Sequence, residues 1–129
     1  MHDPIADMIV RIKNASDSKK ESVVFPHSKI KLAILGSLEK HGFIKSFAKK
    51  GKKVAKWIEV VLAYDETGSK ITGVERVSKS SKRIYQKAKD IRSVRSGFGR
   101  LVLSTPKGIM TDKEAKEAKL GGEALFKIW

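Results

Sequence analysis

Residues 100–129, RLVLSTPKGIMTDKEAKEAKLGGEALFKIW, decide how this chain is read. Leu101, Val102 and Leu103 make a short apolar run, the pattern of a buried strand over Arg100 to Ser104. Ser104-Thr105-Pro106-Lys107-Gly108 follows as a loop of turn-forming residues, expected to connect that strand to a helix. Thr111-Asp112-Lys113-Glu114 is a capping box, in which hydroxyl and carboxylate satisfy each other's backbone N–H groups, and it opens a helix through Lys119. Gly121-Gly122 is expected to stop that helix, and Glu123 to Trp129 reads as a final strand. Strands flank one short helix, so this end of the chain is α+β.

Upstream, Ile71 to Val77 reads as another strand, followed by a basic stretch from Ser78 to Lys89 and a glycine-bracketed turn at Gly97-Phe98-Gly99. Asp65-Glu66-Thr67-Gly68-Ser69 is the best turn or linker in the chain, and it predicts a division into residues 1–66 and 67–129. The first part opens with a helix that Asp3 caps. Pro4 suits its first position, and Ile5, Met8, Ile9 and Ile12 follow the helical stripe. A short strand ends at Pro26. Ser28 caps a second helix with Ile30, Ala33, Ile34 and Leu38 along one side, and Gly42 ends it. Strands are expected over Phe43 to Ala48 and Lys56 to Tyr64, joined by a hairpin-like connection at Lys49-Lys50-Gly51-Lys52-Lys53. The fold class is α+β in two small domains: a helix-strand-helix-strand-strand unit, then a mostly antiparallel β unit with one short helix.

Hydrophobic residues make up 40% of the 129, enough for a packed core, although aromatics are only 7%. Lys and Arg number 28 against 14 Asp and Glu, for a net charge of +14. Such an excess opposes compaction unless a polyanion neutralises it, which points to nucleic acid. The excess is concentrated between Arg76 and Arg100, where nine basic residues accompany one acid, Asp90. With no Cys, disulfides, thiolate zinc sites and thiol nucleophiles are excluded together. Met1-His2-Asp3-Pro4 lacks a basic region followed by a long apolar one, so no secretory signal is expected. A soluble cytoplasmic protein is the expectation.

Tyr85 lies in the basic window with Lys82, Arg83 and Lys87 around it. A phenol there either stacks on an unpaired base or ribose while its neighbours hold phosphates, or packs on the core as a strand aromatic. Ser104, Thr105, Lys107 and Gly108 present short hydroxyls, a cation and an unshielded backbone, suited to a phosphate or a ribose 2′-OH. The positive end of the helix that Thr111 caps adds to this. The alternative is an ordinary connection. Glu123, beside the paired glycines, either accepts from a base amino group, orients a nearby Lys, or is simply solvated.

His2, His27 and His41 lack ligand spacing; His2 is expected to fray and the other two to sit in a loop or at a helix end. No acid pair or nucleophile with a base is assembled, so no enzyme, cofactor, metal or small-molecule substrate is expected. Two rivals need specific features. A DNA-binding regulator would read bases from the second helix, which offers Lys29, Lys31, Glu39 and Lys40. A phosphate-ester enzyme would need a metal or acid cluster.

Several segments together resemble the bacterial small-subunit ribosomal protein eight family. They are Asp3-Pro4-Ile5-Ala6-Asp7-Met8 with Arg11-Ile12-Lys13-Asn14, Ser28-Lys29-Ile30-Lys31, and Gly42-Phe43-Ile44. Arg76-Val77-Ser78 through Arg83-Ile84-Tyr85 and Gly97-Phe98-Gly99 follow, then Leu103 through Ala115 and Leu120 through Leu125. The resemblance implies a two-domain α+β protein bound to a helix in the central domain of small-subunit ribosomal RNA. It also implies a role early in assembly, contacts with small-subunit proteins five and twelve, and in some bacteria repression of the protein's own messenger RNA; no membrane is expected either, because no apolar run approaches the roughly 20 residues needed to span a bilayer. By position it implies that Ser104, Thr105, Lys107 and Gly108 form the main RNA-reading loop, with Tyr85 and Glu123 beside it and Asn14, Lys29 and Lys31 in support. Pro106 departs from the family's usual small hydroxyl, and Ser80-Ser81 from a common Pro-Gly turn.

Overall fold

The structure, a computed structural model, describes Asp3–Trp129. Met1 and His2, and with them the reading of His2, lie outside the described residues. Two compact units are present: Asp7–Thr72, and Gly73–Trp129 together with residues 3–6.

Helix α1 spans Pro4–Asp17. The Asp3 carboxylate accepts the Ala6 N–H at 3.1 Å, so the expected cap is present. Ile5, Met8, Ile9, Ile12 and Ala15 are buried at helical spacing. Lys19, at φ +57°, takes the left-handed position beyond the helix end. Strand β1 is Ser22–Pro26, and helix α2, Lys29–Lys40, follows with the Ser28 hydroxyl accepting the Lys31 N–H. The buried side of α2 is Lys31, Ile34, Leu35 and Leu38, whereas Ile30 is 40% exposed. The stripe expected through Ile30 and Ala33 is therefore rotated. Lys31 replaces an apolar residue in it, because its four-carbon stem can be covered while its head finds a partner.

Strands β2, Ile44–Lys52, and β3, Ala55–Leu62, pair with Lys52 opposite Ala55, so the turn is Lys53-Val54. Lys49, Lys50 and Lys52, expected in a connection, are strand residues instead, and only Lys53 lies in the turn. With the order β1-β3-β2, β2 is an edge strand whose lysines reach water without leaving the ladder. Two short strands, β4 at Tyr64–Asp65 and β5 at Gly68–Ser69, close the expected turn. There the Asp65 carboxylate accepts from the Thr67 N–H and hydroxyl at 2.8 and 2.6 Å.

In the second unit the strands are β6, Val74–Arg76; β7, Tyr85–Gln86; β8, Arg100–Thr105; and β9, Gly108–Thr111. Helix α3, Asp112–Ala118, and strand β10, Gly122–Ile128, complete it. β6 is shorter than the strand expected over Ile71 to Val77, since Ile71 belongs to the first unit. The antiparallel sheet runs β6-β10-β8-β9, with β7 also paired to β10. Its core contains Ile91, Val94, Leu101, Leu103, Ala115 and Ala124. The capping box of Thr111 and Glu114 is formed, but α3 ends at Lys119 in the left-handed conformation, before the glycines. Gly121 and Gly122 serve close strand approach: a Cβ would lie 2.4 Å from the Gln86 carbonyl oxygen at the first and 2.2 Å from that of Ser104 at the second.

Candidate nucleic-acid interface

Strand register brings together residues far apart in sequence. Glu123 of β10 stands opposite Ser104 of β8 on one side and Tyr85 of β7 on the other. Directly opposed residues share a face of a sheet, and their neighbours along each strand face the other way. Leu103 and Ala124, one step along, are fully buried in the core. Tyr85, Glu123 and Ser104 therefore form one row on the face turned away from Leu103 and Ala124. Tyr85 is 69% exposed, which excludes core packing and leaves its ring free to stack.

Glu123 has a definite partner. Arg83 donates through Nη1 to both carboxylate oxygens at 3.2 Å. The acid holds a guanidinium beside Tyr85 rather than a Lys or bulk solvent. Before it, Ser80-Ser81 forms the tip of a tight turn closed by reciprocal backbone bonds between Lys79 and Lys82. Lys79, Lys82, Lys87 and Lys89 are exposed and carry no ion pair among the described residues.

The hydroxyl loop is a β-hairpin turn, not the expected strand-to-helix connection. Thr105 pairs with Gly108 across Pro106-Lys107. Pro106 presets the first turn position, and Gly108, at φ +109°, occupies a backbone region that favours glycine. The largely buried Thr105 hydroxyl accepts the Lys107 N–H at 3.2 Å and donates to the Gly108 carbonyl at 2.7 Å. It shapes the turn. The Ser104 hydroxyl has no protein partner among the described residues, and Lys107 is exposed at the tip. The start of α3 is not available to a phosphate as expected. Thr111 and Glu114 cap it reciprocally, and the buried Asp112 carboxylate accepts the Leu101 N–H at 3.2 Å.

The first unit holds Asn14, exposed on α1 beside a shallow groove lined by Arg11, Ser18, Lys20 and Ser22. Lys29 is exposed at the start of α2. Lys31 departs from its expected place on the surface. It is 6% exposed, donates to the Pro26 carbonyl at 3.0 Å, and sits 5.6 Å from the Phe25 ring centroid. It therefore braces the junction of β1 and α2, and it is withdrawn from any base-reading helix.

Sequence reasoning left Lys49 and Lys56 unassigned, although the run of lysines around them was a signal. Burial, then the positive fields of Lys49, Lys56, Lys29 and Lys31, hold the His27 imidazole below its ordinary pKa. In the free protein this costs stability as pH falls through and below the usual histidine range. A polyanion bound at these lysines would remove part of that field. RNA binding is thus expected to raise the His27 pKa and to tighten as pH falls from 7.5 to 6. NMR titration of the His27 ring with and without RNA checks this; an unchanged pKa would place the RNA elsewhere.

Among the described residues no group of three or more His, Asp or Glu side chains could hold a metal ion, and no helix is long and apolar enough to cross a membrane. Comparison with known proteins adds three findings. The family model described as Ribosomal protein S8 matches residues 3–129. The small ribosomal subunit protein uS8 of Mycoplasmopsis synoviae (strain 53) is 47% identical over 128 residues, covering 98% of this chain and 97% of its own. The uS8 proteins of Lachnoclostridium phytofermentans and Halothermothrix orenii are 44% and 41% identical, covering 100% and 98% of this chain and 98% and 97% of their own.

Proposed function

This chain belongs to the ribosomal protein S8 family, a structural component of the small ribosomal subunit and not an enzyme, and we propose that it binds a helix in the central domain of small-subunit ribosomal RNA. The observation that carries this reading is the row of Tyr85, Glu123 and Ser104 beside the Lys107 turn. Exposed cations around the row neutralise phosphates and set orientation, which any duplex would satisfy. Discrimination comes from the row: the Ser104 hydroxyl meets a 2′-OH or base edge, and the Tyr85 ring stacks where the helix is distorted. Thr105 and Gly108 act by holding Lys107 in place, and Glu123 by holding Arg83. Asn14 and Lys29 add contacts from the other unit, and Lys31 supports them from beneath. Binding early in assembly beside proteins five and twelve, and repression of its own message by an RNA of the same shape, belong to the same proposal.

The test compares the ribosomal helix with a plain duplex of equal length. Ser104→Ala is expected to weaken the ribosomal helix by about 1 kcal/mol, the value of one neutral hydrogen bond. Tyr85→Ala should cost about 1–3 kcal/mol, the value of one base stack. Plain duplex affinity should change little with either. Equal losses on both RNAs would mean that the row merely contacts backbone.

A further inference from the structure

The sheet that carries the row has a second lined face. Tyr85 and Gln86 are neighbours in β7 and so point to opposite sides, Tyr85 outward to the row and Gln86 to the side of Leu101 and Leu103. There Gln86 lines a cleft of about 330 Å³ with Glu75, Arg92, Arg95, Lys127 and Trp129. The volume lies at the lower end of the range for small-ligand sites, roughly 300–1,000 Å³.

We infer that this cleft takes one unpaired, amino-bearing nucleotide of an RNA strand. Four observations converge on that ligand. First, the Gln86 Oε1 is buried and has no hydrogen-bond partner, so an acceptor is held in place with nothing donating to it. Second, Arg92, Arg95 and Lys127 have no ion-pair partner among the described residues, which leaves the lining positive despite Glu75. Third, the Arg95 guanidinium stacks 4.2 Å from the Trp129 ring centroid, and its other face is a plane on which a base can stack. Fourth, Arg95 and Ser96 both adopt left-handed backbone, at φ +49° and +54°, ahead of Gly97 at +94°. Strain of this kind persists where the surrounding structure holds a side chain for use.

Gly73 and Gly99 make room for the platform. A Cβ on Gly73 would come within 2.5 Å of the Trp129 ring, and one on Gly99 within 3.0 Å of the Trp129 Cβ. On the same loop Phe98 is 88% exposed, positioned to stack on the next base of the strand. The phosphate would lie among the three cations. The base would lie over Arg95, with its exocyclic amino group donating to Gln86. This site is separate from the proposed ribosomal helix contact and goes beyond it.

The experiment uses the full chain carrying Trp57→Phe, so that Trp129 is the remaining tryptophan emitter. Pentaadenylate and pentauridylate are titrated, and the ribosomal helix is titrated in parallel. Pentaadenylate is expected to quench Trp129 and to bind about tenfold tighter than pentauridylate, which lacks the amino group. Gln86→Met should erase that preference. Arg92→Ala, at an exposed position, should weaken both pentamers about fivefold. Each should leave the affinity for the ribosomal helix within twofold, whereas Ser104→Ala should do the reverse. The inference is overturned if pentaadenylate leaves Trp129 emission unchanged, if both pentamers bind alike, or if adenosine monophosphate binds as tightly as the pentamer. Loss of helix and pentamer binding together in Arg92→Ala would also overturn it.

Discussion

Replacing Gly122 with Ala is expected to destabilise the protein by about 3 kcal/mol and to remove selective RNA binding. A Cβ at Gly122 would stand 2.2 Å from the Ser104 carbonyl oxygen, 2.9 Å from its carbon and 3.1 Å from the Thr105 Cα. All three are backbone atoms, so no side-chain rotation relieves the overlap. Strands β8 and β10 must separate at the position where Glu123 faces Ser104. The same displacement draws Glu123 away from Ser104 and crowds β10 against β7, so the row is lost with the pairing. Urea unfolding reads the first effect and binding to the ribosomal helix reads the second. Gly36→Ala serves as the contrast. It lies inside α2, its nearest neighbour would be the Phe47 ring at 4.0 Å, and it should gain up to about 1 kcal/mol from the lower entropy of the unfolded chain. Equal behaviour of the two variants would show that strand approach at Gly122 is not what limits the sheet.

Affinity for RNA should fall about a thousandfold between 50 and 200 mM salt if about six phosphates are neutralised, taking the duplex rule. Six is a modest number for the surface described. Among the described residues Lys29, Lys79, Lys82, Lys87, Lys89 and Lys107 are exposed and carry no ion pair, while Arg83 shares its charge with Glu123. Exposed charges of this kind contribute little to folding, so their number is better understood as counterion release on binding. Lys107→Ala should lower the slope of log affinity against log salt by about one, and should do so on any duplex. A slope near zero would remove the electrostatic half of the proposed function.

Local signals in the sequence were read well because their physics is local. The caps at Asp3, Ser28 and Thr111 with Glu114 each depend on atoms within three residues, and all three are present. The turn at Asp65 to Ser69 is of the same kind. Non-local relations were another matter. Nothing in the spacing of Tyr85, Ser104 and Glu123 gives their register, and a slip by one residue would put each on the core side. The lysines from Lys49 to Lys52 looked like a loop, because charge marks exposure without distinguishing an edge strand from a turn. Lys31 looked like a surface contact because its charge hides an apolar stem. Thr105 and Ser104 looked equivalent as hydroxyls. Only the alternation of β8, with Thr105 directed to the turn and Ser104 outward, separates the shaping residue from the one proposed to read RNA.

Strand β10 is the last described strand along the chain, yet it lies inside the sheet, between β8 and the strands β6 and β7. Synthesis is vectorial, so the basic segment from Arg76 to Arg100 leaves the translating ribosome before the strand that organises it. A nascent chain halted short of Glu123 carries the cations without the row. If the row reads RNA as proposed, fidelity in RNA choice is reserved for polypeptides whose translation has run past that strand, and stalled products compete poorly for the proposed helix.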